Sequence, residues 1–130
     1  MVAKSKTKIA FVEDSPDSAQ LFTLYLNEFC NDFEVSYFPN GPESLQTLEP
    51  GVSRIAILDI SLPGMDGYEL IKKMHSVDPR ITAVASTAHA SDGHRQKAID
   101  AGFHSVITKP VRDLDAFCRM IVDLADRAAA

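Results

Sequence analysis

Asp59 stands where a buried strand is expected to leave the core. The apolar run Ile55–Leu58 leads up to it, and Pro63, Gly64 and Gly67 follow closely. Such a run, bounded by turn residues, is typical of a strand that is covered on both faces. Because a lone carboxylate beside a core is costly unless another group pairs with it, Asp59 needs partners from elsewhere in the chain.

The rest of the chain alternates between short apolar runs and amphipathic segments. The runs predict five strands: Ile9–Val12, Phe33–Phe38, Ile55–Leu58, Ile81–Ala85 and Val106–Ile107. Helices are predicted after Ser15–Pro16, after Asn40, along Tyr68, Ile71 and Met74, after Ser91, and along Leu114, Phe117, Ile121 and Ala125. This alternation predicts an α/β fold, a doubly wound parallel sheet with helices on both faces and right-handed crossovers. We expect a single domain over residues 1–130.

Four of these strands deliver chemically useful side chains to their ends. Glu13 and Asp14 follow the first strand, Asp59 follows the third, Thr87 the fourth and Lys109 the fifth. In an open α/β sheet, ligands bind beyond the carboxyl ends of the strands, at the point where the strand order reverses. We therefore expect the fold to gather these distant residues into one site.

The charges of that set indicate a metal site. Two carboxylates about 4 Å apart repel by roughly 4 kcal/mol at an effective dielectric constant of about 20, so Glu13, Asp14 and Asp59 cannot all stay ionised without a counter-charge. Lys109 and one divalent cation would balance the three of them. All the ligands on offer are oxygens, and no histidine or cysteine is placed with them, which favours a hard ion such as Mg²⁺ over Zn²⁺.

Composition narrows the classes of function. The formal net charge is -5, which disfavours nucleic acid and anionic membrane surfaces as the main partner. The basic N-terminus is not followed by a long apolar segment, and no stretch approaches a membrane span, so we expect no signal peptide and a cytoplasmic protein. Cys30 and Cys118 lie far apart and outside any C-x-x-C pattern, and we expect reduced thiols rather than a disulfide.

The candidate site residues stand in four short motifs: Glu13–Asp14, Asp59 with Leu62–Gly67, Thr87–Ala88 and Lys109–Pro110. Together, and in this order, the motifs resemble the signature of response-regulator receiver domains over about residues 8–126. We expect a likeness to stand-alone, chemotaxis-type regulators, because no output domain follows. A detached receiver of a hybrid kinase is the alternative, and the initial Met1 favours the stand-alone expectation. The family resemblance implies a flavodoxin-like sheet with strand order 2-1-3-4-5.

The resemblance implies a phosphoacceptor switch of a two-component system or phosphorelay, not an enzyme that turns over an external metabolite. Asp59 would take a phosphoryl group from the phosphohistidine of a histidine kinase or a histidine phosphotransfer protein. Lys109 would pair with the phosphoryl oxygens, and the Thr87 hydroxyl would move to one of them. The downstream target would be another protein, with no direct binding of nucleic acid or membrane.

A set of metal ligands is implied in the same way. Asp14 and Asp59 would bind Mg²⁺ (or Mn²⁺) directly, together with the backbone carbonyl of Ser61, and Glu13 would act mainly through a metal-bound water. The resemblance also implies a cis peptide bond at Lys109–Pro110.

One position departs from the family pattern. The residue three before Lys109 is usually Tyr or Phe, whose ring turns inward on activation, whereas this chain has Val106. A valine has no comparable ring to swing, so coupling through aromatic rotation is not expected and the Thr87 movement remains. The family implies a partner surface on the fourth helix, the fifth strand and the fifth helix, bordered here by Arg95, Lys97, Val106 and Arg112.

Three alternatives compete with this interpretation. An aspartyl-phosphate-forming phosphatase usually needs a second acid two residues after the nucleophile, where this chain has Ser61. A flavin-binding module would need a hydroxyl- and glycine-rich loop after the first strand, where the acids from Glu13 to Asp17 would repel a flavin phosphate. A degenerate receiver that serves only as a protein-binding platform is disfavoured by the complete set of site residues.

We also hypothesise that His89 and Ser61 tune the attack of water on the phosphoryl group.

Overall fold

The computed structural model describes residues 7–29, 33–88, 91–109, 111 and 113–129, and five strands alternate with five helices along these ranges. The elements, in chain order, are β1 (Thr7–Val12), α1 (Pro16–Phe29), β2 (Phe33–Phe38), α2 (Gly41–Thr47), β3 (Ile55–Asp59), α3 (Gly67–Val77), β4 (Thr82–Thr87), α4 (Asp92–Ala101), β5 (Ser105–Thr108) and α5 (Leu114–Ala129). The predicted alternation of strands and helices is confirmed. No helix in these ranges has the length and apolarity that crossing a bilayer requires.

The sheet has the order β2-β1-β3-β4-β5, and all four strand pairs are parallel. The predicted order is confirmed, as is the doubly wound α/β class. The order reverses between β1 and β3, which places a crevice at their carboxyl ends. Glu13 and Asp14 follow β1 and Asp59 ends β3, so they border this crevice.

Each face of the sheet is covered by its own hydrophobic cluster. We call them the α1/α5 face, where Phe11, Ile57 and Val84 pack against those two helices, and the α2–α4 face, where Leu58 and Ala85 pack against the other three. Successive residues of a strand point to opposite faces, and β3 is buried along its whole length because both faces are covered. This alternation fixes which face each site residue belongs to.

Local signals explain most element boundaries. The predicted caps are present: Asn40 accepts a hydrogen bond from the Glu43 backbone N–H at 2.9 Å, and Gly102 ends α4 with φ 115°. The fourth strand, predicted as Ile81–Ala85, instead runs to Thr87, because Ser86 and Thr87 continue the ladder with β5. Inter-strand pairing thus overrides the polarity of these two residues.

The expectation of reduced thiols is wrong for Cys118, which is disulfide-bonded, and none of the described residues is a free cysteine. The other cysteine of the chain, Cys30, lies outside the described residues, as do His89, Pro110 and Arg112. Separation in sequence misled the prediction, because α1 and α5 lie side by side in the fold. The ring centroids of Phe22 and Phe117 are 5.4 Å apart across that contact.

Candidate functional site

Asp59 is the last residue of β3 and its side chain is almost fully buried, with 3% exposure for the residue. The loop after Asp59 packs against the end of β3. The Gly67 backbone N–H donates to the Ile60 carbonyl at 3.0 Å, and a Cβ atom on Gly67 would lie 2.7 Å from the Asp59 carbonyl oxygen. Only glycine fits this approach, and Asp66 then caps α3 by accepting the Glu69 backbone N–H at 2.9 Å.

Lys109 connects the two most buried acids of the site. Its Nζ donates to Asp59 Oδ2 at 3.0 Å and to Glu13 Oε2 at 3.1 Å. Lys109 also has its own backbone anchored, because its N–H donates to the Thr87 carbonyl at 2.8 Å. The fold therefore brings together three predicted residues that lie 46 and 50 positions apart in sequence.

Glu13 is held from several sides and is 1% exposed. Its Oε1 accepts the Ser15 backbone N–H at 3.2 Å, and its own backbone N–H donates to the Phe38 carbonyl at 3.1 Å. The Tyr37 hydroxyl donates to the Glu13 carbonyl at 2.6 Å. The sequence prediction missed Tyr37, because it showed only as one residue of an alternating strand with no motif around it.

The acids form a candidate metal centre. One carboxylate oxygen each from Glu13, Asp14 and Asp59 lies within 4.8 Å of the other two, and Asp14 is exposed while its two companions are buried. Asp59 Oδ1 also accepts the Ser61 backbone N–H at 2.9 Å, which brings Ser61 to the rim of the site. An all-oxygen set with this excess of negative charge suits a hard divalent cation.

The surroundings of Glu13 and Lys109 raise the pKa of both, which favours the neutral form of Glu13 and the charged form of Lys109. Burial, followed by the negative charge of Asp59, raises the pKa of Glu13, although hydrogen bonds from Lys109 and Ser15 oppose the shift. Burial alone would lower the pKa of Lys109, but hydrogen bonds to Asp59 and Glu13 and the charges of both acids raise it overall. Lys109 is therefore firmly charged, and it is the cation that allows two buried carboxylates to lie together.

Thr87 and Ser86 end β4 side by side and point to opposite faces. Thr87 is 4% exposed and continues the row of Ala85, so it belongs to the α2–α4 face, where Val106 also packs. Ser86 is 0% exposed and continues the row of Val84, so it belongs to the α1/α5 face with Asp59. Thr87 thus ends β4 beside the site, where its carbonyl accepts the Lys109 backbone N–H.

This fold and this cluster of acids define a class of signalling domain. The sequence matches the response regulator receiver domain family over residues 9–121, and the chain belongs to that family. It is a receiver domain of two-component signalling, with an acidic cluster at the carboxyl edge of its sheet.

Individual relatives span a range of architectures. An uncharacterized 14.6 kDa protein from Leptolyngbya boryana is 33% identical over 117 residues, which cover 88% of both chains. The transcriptional regulatory protein CssR of Bacillus subtilis is 31% identical, and the match covers 78% of this chain but only 44% of CssR. The receiver domain of the sensor histidine kinase PA1611 from Pseudomonas aeruginosa, solved with a magnesium ion coordinated in its active-site cleft, has a TM-score of 0.79 at 22% identity, covering 96% of this chain and 99% of that one.

Proposed function

We propose that Asp59 is the phosphoacceptor of this receiver domain. The observation that carries the proposal is the bridge of Lys109 Nζ between Asp59 and Glu13, beside carboxylate oxygens that lie within 4.8 Å of one another. A buried carboxylate flanked by an ammonium and by room for a cation can approach a phosphoryl group without prohibitive charge repulsion. It takes its phosphoryl group from the phosphohistidine of a histidine kinase or a histidine phosphotransfer protein.

The metal partner we propose is Mg²⁺, or Mn²⁺, held by Asp14 and Asp59 with the backbone carbonyl of Ser61 and with Glu13 nearby. A divalent cation there supplies positive charge to the phosphoryl oxygens during transfer. Support comes from the oxygen-only donor set of Glu13, Asp14 and Asp59 and from the magnesium ion in the cleft of the PA1611 receiver.

The transfer itself asks little covalent chemistry of the chain. An Asp59 oxygen attacks phosphorus, the bond from phosphorus to the histidine nitrogen breaks, and its electron pair stays on that nitrogen. Lys109, already within 3.0 Å of Asp59, offsets the negative charge that arrives with the phosphoryl group. The chain promotes its own phosphorylation and its own slow hydrolysis, and it turns over no external metabolite.

The output of the switch passes through Thr87 to the surface formed by α4, β5 and α5. Thr87 lies on the α2–α4 face at the end of β4, two residues from the strand position that pairs with Val106. A hydroxyl drawn toward the phosphoryl group shifts the loop that leads into α4, and the affinity for a protein target changes with it. We place this signalling in the cytoplasm, where phosphohistidine donors of this class act.

A direct test is incubation of the protein with acetyl phosphate and Mg²⁺, followed by intact-protein mass spectrometry. We expect the mass of one phosphoryl group to be added, the adduct to be lost with Asp59→Asn, and its formation to be suppressed by a chelator. Asp66→Asn is the matched control, because it makes the same acid-to-amide change while asparagine still caps α3. An undiminished adduct in Asp59→Asn would place the acceptor elsewhere.

The phosphatase alternative lacks its general acid. Ser61 occupies the position two residues after Asp59, and its backbone N–H is bound to Asp59 Oδ1 at 2.9 Å. The degenerate-platform alternative is disfavoured because Lys109 contacts both Glu13 and Asp59 directly. The adduct measurement and an assay for released phosphate together separate all three functions, since a platform forms no adduct and a phosphatase would release phosphate from many substrate molecules.

A further inference from the structure

Ser86 is a buried hydroxyl that the resting site leaves unused. It is 0% exposed, and its Oγ is the one buried side-chain nitrogen or oxygen in the described ranges with no hydrogen-bond partner. A buried polar group without a partner is costly, and in a native core it calls for an explanation. Alanine or valine at this position would avoid that cost, so the hydroxyl has no evident structural benefit.

Ser86 is the neighbour of Asp59 in the sheet. The two residues are paired in the register of β3 and β4, and parallel strands lie about 4.8 Å apart. Val84 and Ile57 pack on the α1/α5 face. Ser86 lies two positions after Val84, and Asp59 lies two positions after Ile57. The two side chains therefore rise from adjacent strands on the same side of the sheet.

Lys109 passes over this pair. It follows β5, which lies on the far side of β4 from β3, yet its Nζ reaches Asp59 at 3.0 Å. The lysine side chain must therefore cross the end of β4, where Ser86 is the last residue of that strand on the α1/α5 face. Ser86 is 0% exposed, so its hydroxyl is shielded from solvent at the place that the lysine side chain crosses.

We propose that Ser86 is a positioning residue for the phosphoacceptor: its hydroxyl donates to the Asp59 oxygen that Lys109 releases when Lys109 turns to the incoming phosphoryl group. The assignment rests on the proposed function of Asp59. It differs from the role proposed for Thr87, which is the next residue of β4, follows the row of Ala85 on the other face of the sheet, and serves the output of the switch.

The chemistry explains why the donor matters during transfer. With acetyl phosphate as the donor, an Asp59 oxygen attacks phosphorus, the bond from phosphorus to acetate breaks, and its electron pair leaves with acetate. The other Asp59 oxygen becomes a carbonyl and loses the Nζ donor that it held at 3.0 Å. Ser86 supplies a replacement hydrogen bond and keeps its own proton. Because this bond is absent at rest and gained along the reaction, it lowers the barrier and not only the starting energy.

Four forms of the chain test the inference: wild type, Ser86→Ala, Ser86→Thr and Ser86→Val. Threonine and valine have nearly the same shape and differ in the hydroxyl. The rate constant for phosphorylation by acetyl phosphate at saturating Mg²⁺ should fall about three- to tenfold in the alanine and valine forms, as expected for one lost hydrogen bond, and stay near wild type with threonine. Mg²⁺ affinity, measured by titration calorimetry, should be the same in all four.

Equal rates in the Ser86→Thr and Ser86→Val forms, or a Ser86→Ala rate within about twofold of wild type, would overturn the assignment, since a purely structural role follows shape and volume. The proposed function is tested separately by the wild-type protein. If wild type gains no phosphoryl group on Asp59, the function itself fails. If wild type is phosphorylated and the four rates agree, only the role of Ser86 fails.

Discussion

Replacing Lys109 with methionine removes the charge that lets two buried acids coexist while keeping most of the length of the side chain. Lys109 Nζ lies 3.0 Å from Asp59 Oδ2 and 3.1 Å from Glu13 Oε2, and those residues are 3% and 1% exposed. In metal-free buffer the variant leaves both carboxylates buried and facing each other. Breaking a buried ion pair on one side costs about 3–5 kcal/mol, and we expect about 2–3 kcal/mol here because the lysine side chain retains some exposure.

Two further effects follow from the same charges. The pKa of Glu13 is already raised by burial and by Asp59, so the folded state binds a proton more readily than the unfolded chain. The loss of stability in Lys109→Met should therefore shrink as the pH falls toward the pKa of Glu13, where a protonated Glu13 no longer repels Asp59. Mg²⁺ should bind the variant more tightly, by on the order of tenfold, because a positive charge that repelled the cation is gone.

Urea unfolding followed by circular dichroism measures the change in the free energy of unfolding, and titration calorimetry measures the change in Mg²⁺ affinity. Lys73→Met is the matched control, since Lys73 is exposed on α3 and should change the free energy of unfolding by no more than about 0.5 kcal/mol. A Lys109→Met protein as stable as this control in metal-free buffer, or one that binds Mg²⁺ more weakly than wild type, would refute the charge-balance reasoning.

Two substitutions outside the charged cluster test the scaffold that supports it. Asp78→Asn should lower the free energy of unfolding by about 1–2 kcal/mol at pH 7, because the 4% exposed carboxylate accepts the Gly51 N–H at 2.7 Å. The pKa of Asp78 lies below its usual 3.8, so urea unfolding should show this difference vanishing as the pH falls through that lowered pKa. Gly67→Ala should cost about 2 kcal/mol or more by thermal unfolding, since its Cβ would lie 2.7 Å from the Asp59 carbonyl oxygen, while Gly93→Ala, with nothing within 4 Å, should be neutral or slightly stabilising. An alanine tolerated equally at both glycines would contradict the close approach.

The elements that carry the site were predictable because each leaves a local signal. Asp59 and Lys109 each follow an apolar run, and a parallel sheet brings the ends of such runs to one edge. The alternation of strands and helices is a property of short windows of sequence, so it predicted the α/β class directly, and the strand order followed once the motifs pointed to the family. Asn40 and Gly102 marked their helix ends for the same reason, since capping depends on a few neighbouring residues.

The features that the sequence did not predict depend on contacts between residues that are far apart in the chain. Tyr37 supports the Glu13 carbonyl from β2, and nothing beside Tyr37 in sequence indicates that contact. The disulfide-bonded state of Cys118 is not marked by any nearby cysteine or C-x-x-C pattern in the sequence. Ser86 belongs to none of the motifs in the sequence, and only the register places it beside Asp59, on the opposite face from Thr87.

The two hydroxyl residues that end β4, Ser86 and Thr87, lie on opposite faces of the sheet. Because side chains alternate along a strand, Ser86 lies on the face of Ile57 and Val84, and the adjacent Thr87 lies on the face of Leu58 and Ala85, which α4 covers. On that second face Val106 has no ring to rotate, but the Tyr68 ring contacts Lys97 of α4, with Nζ 4.5 Å from the ring centroid. We propose that the Thr87 movement reaches α4 by shifting this helix against α3, and we expect the partner surface to respond through the position of α4 as a whole.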